Sequence, residues 1–213
     1  VILTPNVSRE TLKILNLDLP DGFYDDIRIF ESILIEKNQV MNLVGPTTLP
    51  QFWQRHVLDS LQLLNHVDRS LIWADLGAGA GFPGLILAIG FKWLKPYFGS
   101  HIYLVDSLGK RCRFLDEVAK RLNLEVSIIN ARVESFDKKV DRVTARAFAP
   151  LPRLLECAES LLAKPAQGLI LKGEKLDLEI SETLKLWRLD YEITQSLSDP
   201  RGRILHIKGA KRV

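Results

Sequence analysis

Through the first third of the chain, apolar residues fall at helix spacing. Leu12, Leu15 and Leu19 form one stripe, and Ile27, Phe30, Ile33 and Leu34 form a second. Leu49, Phe52, Trp53, Val57, Leu61 and Leu64 predict a third helix from about Thr48 to His66, its start bracketed by Pro46 and Pro50. After Arg69 the texture changes. Short apolar runs predict strands at 71–76, 102–106, 125–129, 142–147, 168–172, 190–196 and 203–208. Helical stretches fit between them at Pro83–Leu94, Gly109–Leu122, Leu151–Ala163 and Leu176–Trp187. Such alternation indicates right-handed βαβ units, hence a doubly wound α/β core with a mostly parallel seven-stranded sheet covered on both faces. The last two strands are joined through Ser198-Asp199-Pro200-Arg201-Gly202, which leaves no room for a helix, so they should form an antiparallel hairpin at the C-terminal edge of the sheet. The expected organisation is a helical N-terminal extension over 1–68 on an α/β core over 69–213.

Composition bounds what such a core does. The 213 residues are 46% hydrophobic and 26% charged with a formal net charge of +3, a balance that permits a polyanionic partner without requiring one. No apolar run approaches the roughly 20 residues of a membrane helix. Val1-Ile2-Leu3-Thr4-Pro5 lacks the charged and apolar regions of a secretion signal, and Cys112 and Cys157 make neither a disulfide framework nor a zinc cluster. A cytoplasmic protein is therefore expected. His56, His66, His101 and His206 have no metal-ligand spacing, so no metal is expected. Trp53, Trp73, Trp93 and Trp187 sit at apolar positions and read as core.

The candidate chemistry starts where the first predicted strand ends. Asp75-Leu76-Gly77-Ala78-Gly79-Ala80-Gly81-Phe82-Pro83-Gly84 sets bare backbone between a strand and a helix, at the sheet edge where open α/β folds bind ligands. Two cofactor classes use such a turn. Gly79-Ala80-Gly81-Phe82-Pro83-Gly84 satisfies the GxGxxG of dinucleotide binding, with its N–H groups at a helix start available to phosphate. The acidic-x-Gly-x-Gly-x-Gly string Asp75 to Gly81 suits S-adenosylmethionine, because a carboxylate there answers an ammonium group and repels a pyrophosphate. Asp106, ending the second strand, suits both hydroxyls of a ribose, with capping of the following helix as its structural alternative. Val133 and Glu134, after the third strand, stand where an adenine edge could lie.

Together these strings resemble a known family. The glycine string is joined by Val105-Asp106-Ser107-Leu108-Gly109-Lys110-Arg111, Arg132-Val133-Glu134 and Ala145-Arg146-Ala147-Phe148-Ala149. Met41-Asn42-Leu43 and Arg55-His56-Val57-Leu58-Asp59-Ser60 lie upstream, and Leu171-Lys172-Gly173 downstream. The set is similar to the bacterial 16S ribosomal RNA guanine-N7 methyltransferases, the glucose-inhibited division protein B family, over roughly residues 38 to 173. The resemblance implies a class I, Rossmann-like methyltransferase fold and S-adenosylmethionine as cofactor. It implies methyl transfer to N7 of a guanine near the decoding site, on 16S ribosomal RNA or the small-subunit particle, by a monomer. It carries cofactor contacts onto Gly77, Phe82, Val133, Glu134 and Arg146, beside the Asp75, Gly79, Gly81 and Asp106 of the residue-level reading.

That substrate accounts for an expected absence. N7 of guanine has an exposed lone pair and needs no deprotonation, so no nucleophile or general base is required, and none is assigned. Arg55, His56, Lys110, Arg111, Arg146 and Lys172 are the candidate RNA contacts at the cofactor mouth. Each has a plainer alternative: an Arg55–Asp59 ion pair, a solvated Lys110, a hydrogen-bonded core His56. The five basic residues from Arg201 onward make a tail that suits phosphate or simple solvation. The two other readings are an NAD-dependent oxidoreductase and a non-catalytic RNA-binding module on the same fold.

Overall fold

The computed structural model describes residues 5–69, 71–162 and 166–213; Val1–Thr4 and the expected helix end at Ala163 lie outside them. The N-terminal part holds α1 (Pro5–Leu12) and the long α2 (Asp21–Met41). Asn16 and Asn42, both in the left-handed conformation, stop the helical turns before them, so Leu19 lies in a link between helices. Ile27, Phe30 and Leu34 are fully buried along α2, as their spacing requires.

The third helix is broken rather than regular. Leu49–Gln51 is a 3-10 turn, Trp53–Leu58 a π-helix, α3 (Asp59–Leu61) one short turn and Gln62–His66 another 3-10 segment. Pro50 opens the tightened start, and the Ser60 hydroxyl donates back to the His56 carbonyl at 2.6 Å, competing with the regular ladder. The apolar face still lands inside: Phe52, Val57, Leu61 and Leu64 are fully buried.

Seven strands follow: β1 (Ile72–Leu76), β2 (His101–Asp106), β3 (Val126–Asn130), β4 (Arg142–Arg146), β5 (Gln167–Lys172), β6 (Trp187–Gln195) and β7 (Arg203–Arg212). Their order in the sheet is β3-β2-β1-β4-β5-β7-β6. The first five are parallel, β7 runs antiparallel to β5, and β6 closes the edge as the other arm of the hairpin. Strand order reverses between β1 and β4, so the loops after these two strands meet at one crevice. The connecting helices are α4 (Gly84–Trp93), α5 (Gly109–Arg121), α6 (Leu151–Leu162) and α7 (Leu176–Thr183). The N-terminal helices, α4 and α5 bury one face of the sheet, and α6 and α7 the other.

Most boundaries fall within a residue of the sequence pattern, and the larger differences lie after β5. The expected helix reaching Trp187 ends at Thr183, because Trp187, 2% exposed, is the first residue of β6 and packs under α6 and α7. The hairpin strands are longer than expected, and the basic C-terminal stretch is strand β7 rather than a tail. A bulge at Asp190/Tyr191 shifts the register, so the alternation of inward and outward residues is interrupted midway and the pattern understates the strand.

Candidate cofactor and substrate site

The glycine loop hooks over the end of β2: the N–H groups of Gly77 and Ala78 both donate to the Val105 carbonyl, at 2.8 and 3.0 Å. Its glycines serve different needs. A side chain on Gly81 would strike Leu85, and one on Gly84 would strike Leu104 and Asp75, so these two permit close helix–strand packing. Gly81 also donates its N–H to Ala78 O, at 2.7 Å. Gly79 has a left-handed φ of +56°, and a Cβ there would touch only the Gly77 carbonyl oxygen, at 3.6 Å. Gly77 faces the ring of Phe148, with an added Cβ falling 2.4 Å from Cδ2.

Asp75 lies completely buried beneath this loop. Its Oδ2 accepts the N–H of Gly84 at 2.9 Å, and its Oδ1 has no hydrogen-bond partner. Burial pushes its pKa up to about 7; the Gly84 N–H and Arg146 oppose that rise, and Asp106 adds to it. An unanswered carboxylate oxygen suits a cationic ligand group. The other oxygen, Oδ2, takes the first N–H of α4, which the GxGxxG reading needs for pyrophosphate, so the dinucleotide alternative loses its anchor. Asp106, 4% exposed, accepts from Gly79 N at 2.9 Å through Oδ2 and from Leu108 N at 2.8 Å through Oδ1, with Arg111 3.6 Å away. The capping alternative is thus partly what the structure contains, as an Asx turn into α5. Each oxygen keeps a second lone pair for a ribose hydroxyl.

Asp106 borders a cavity of about 560 Å³ that also takes in Gly77, Leu108, Arg111, Val133, Glu134 and Phe148. Leu108 and Val133 supply apolar surface for a flat ring. Glu134 is held by Arg153 at 2.6 Å and by the Cys157 thiol at 3.3 Å. Its own backbone N–H, the Cys157 thiol and the nearby arginines lower its pKa, while burial and Glu134 push Cys157 up to about 11. These residues fit an adenosine-bearing cofactor with a cationic tail: an acid for the ribose, an apolar slot for the base, and an unanswered carboxylate oxygen at Asp75.

A second cavity of about 730 Å³ lies on the other side of Ala147–Ala149 and is walled by the N-terminal extension, the ends of β4 and β5 and the β6–β7 turn. Here Arg55, His56, Arg146 and Lys172 come together, but most are already engaged. Arg146 donates to Asp59 at 3.1 Å, to the Arg55 carbonyl at 2.8 Å and to His56 Nδ1 at 2.7 Å, and lies over the Phe82 ring. His56 bonds Thr48 through Nε2 and stacks on Phe82, and burial with Arg146 and Arg55 lowers its pKa to about 3, so it stays neutral. Lys172 is held by Glu179 and the Ala149 carbonyl, at 2.7 and 2.8 Å. Arg146, His56 and Lys172 are thus all hydrogen-bonded within the wall of this cavity. Arg55 pairs with Asp199 rather than with the Asp59 one helical turn away. Arg111 reaches the smaller cavity, and Lys110, exposed on α5, borders neither. The Phe82 ring packs into the core against Phe30 and Phe52.

Several residues escape a reading by motif. Asp59 bonds Ser198, Gln62 bonds Ser196 and the Leu197 N–H, and Gln54 bonds the Ser198 carbonyl, so the extension grips the β6–β7 turn. The contacts span 134 to 144 residues of sequence, beyond any local signal. Asp59 alone had one, its place in the Arg-His-x-Leu-Asp-Ser string. Ala147, at φ +51°, holds a left-handed turn that costs a non-glycine residue on the order of 1 kcal/mol, and it carries Phe148.

Comparison with known proteins gives a consistent result. The family model GidB, rRNA small subunit methyltransferase G, matches residues 24–199. A ribosomal RNA small subunit methyltransferase G of Caulobacter vibrioides (strain NA1000 / CB15N) is 50% identical over 193 residues, covering 91% of this chain and 88% of that protein. One of Methylorubrum populi is 38% identical over 216 residues, covering 100% and 95%. Among solved structures, a SAM-dependent methyltransferase from Aquifex aeolicus superposes with a TM-score of 0.57 at 17% identity, covering 80% of this chain and 97% of that one. A ribosomal protein L11 methylase from Lactobacillus delbrueckii subsp. bulgaricus gives 0.54 at 20% identity, covering 70% and 75%. These two likenesses concern the fold.

Proposed function

The chain belongs to the rRNA small subunit methyltransferase G family, and from that premise we propose that it methylates N7 of a specific guanine in 16S ribosomal RNA near the decoding site, with S-adenosylmethionine as donor. The observation that carries the reading is the pair of cavities meeting at Ala147–Ala149, one suited to an adenosine cofactor and the other to a base. S-adenosylmethionine supplies the methyl group on a positively charged sulfur. Asp75 and the glycine loop above it receive the amino-acid end, Asp106 the ribose, and Leu108, Val133 and Glu134 the adenine. The attacking N7 carries its lone pair in the ring plane, so these residues need only align it and exclude water. Such orientation is worth on the order of 7–11 kcal/mol at best. His56, neutral and hydrogen-bonded on both nitrogens, fits a wall and not a base. Of the candidate RNA contacts, Arg55, Lys110 and Arg111 keep exposed or half-exposed side chains for phosphate, as does Arg201 in the β6–β7 turn, although Arg55 and Arg201 also pair with Asp199 and Arg111 with Asp106.

The test is incubation of this protein with methyl-labelled cofactor and either naked 16S RNA or small-subunit particles, followed by mass mapping of the labelled nucleotide. One labelled guanine, with the methyl on N7, is expected. Label on another base or on ribose overturns the N7 reading, and D106A should lose most of the label in either substrate.

A further inference from the structure

Methyl transfer needs the donor carbon and the accepting atom within about 3–3.5 Å of each other. Ala147, Phe148 and Ala149 border both cavities, so this short segment is where the two spaces adjoin. The part of it nearest the glycine loop is the Phe148 ring, which lies directly on Gly77. That surface is what an amino-acid tail extending from the ribose at Asp106 toward the unpaired Oδ1 of Asp75 would cross. Phe148 is half-buried, and it is mounted on Ala147, whose left-handed backbone is itself an unfavoured conformation. Beyond it lies the larger cavity, with room for a displaced ring.

We propose that Phe148 is a displaceable partition: the amino-acid end of the cofactor moves its ring off Gly77 into the larger cavity, joining the two spaces and reshaping the one that receives the base. Phe148 is thus a positioning residue that couples cofactor occupancy to the shape of the substrate cavity. A ring that must leave its resting place lowers the apparent affinity of any ligand that needs the space, and leaves unaffected one that does not. This inference rests on the S-adenosylmethionine reading of the smaller cavity and is independent of which nucleotide is methylated.

The experiment is calorimetric titration of the native chain, F148L and F148A with S-adenosylhomocysteine and, separately, with adenosine, after circular dichroism has shown native-like melting. S-adenosylhomocysteine should bind F148A about fivefold tighter than the native chain, with F148L between them, while adenosine binds all three alike. F148W gives a direct view: its emission should change saturably with S-adenosylhomocysteine beyond any change in the native chain, and not with adenosine. Equal or weaker binding of S-adenosylhomocysteine by F148A, equal tightening of both ligands, or no ligand-specific emission change in F148W would overturn the partition and leave the cofactor reading standing. No binding of S-adenosylhomocysteine to the native chain would overturn the cofactor reading and this inference together.

Discussion

Asp75 and Arg146 concentrate the electrostatics of the crevice. The Asp75 carboxyl is held up to about 7 by burial, so it is largely protonated in mildly acidic solution. A cofactor ammonium beside it favours the ionised form, and binding then releases a proton. S-adenosylhomocysteine affinity should rise with pH from about 5.5 and level off above about 7, with a limiting slope of about one decade per pH unit. Titrations in buffers of different ionisation enthalpy should report the released proton, and D75N should abolish the slope. The folding linkage has the opposite sign: a raised carboxyl contributes stability that is full below its unfolded pKa near 4 and is lost as pH rises through about 7. The Gly84 N–H, Arg146 and Asp106 are the groups that face it. Arg146 pairs with Asp59, the two side chains being 19% and 18% exposed. R146A leaves Asp59 short of its cation, and chemical denaturation should register a loss of about 2–4 kcal/mol, near the lower part of the range for a broken buried pair.

Between elements, the grip of the extension on the β6–β7 turn is the joint that shapes the larger cavity. Gln62 is its centre, 1% exposed, donating to Asp59 and Ser196 and accepting from the Leu197 N–H at 2.7 Å. Q62L keeps the size but strips the partners from a part-buried backbone N–H and a buried serine. It should cost about 1–3 kcal/mol, and amide exchange should quicken at residues 196–199 more than within β6 or β7. The helical pattern of this segment was legible from its apolar positions, since Phe52, Val57, Leu61 and Leu64 are all inside. Its break into 3-10, π and α turns was not, because the cause lies in Ser60 bonding backward and in partners supplied by a distant hairpin.

At the scale of the molecule, the extension and the sheet share one core. Ile27, Phe30 and Phe52 belong to the same buried cluster as Phe82, Leu85 and Phe114, with the Phe30 and Phe82 ring centroids 5.3 Å apart. A fragment lacking residues 1–68 would expose the apolar faces of α4 and α5, on the order of 1.5–3 kcal/mol per large side chain. It should be insoluble or lack a cooperative thermal transition, and co-expression with residues 1–68 as a separate chain should restore solubility.

The sequence by itself determined the strand and helix order, the antiparallel edge hairpin and the positions of Asp75, Gly77, Gly79 and Asp106. These follow from local periodicity and from loop chemistry written in consecutive residues. Only the tertiary structure decided which cations remain free, because Arg146, His56 and Lys172 meet their partners through chain reversals that no local pattern encodes. It also decided that Gly81 and Gly84 serve packing, that Phe82 belongs to the core, and that Phe148 stands on Gly77. Backbone preferences act over a few residues and leave a record in spacing, whereas the pairing of buried charges and the seating of one ring depend on which surfaces the whole fold presses together.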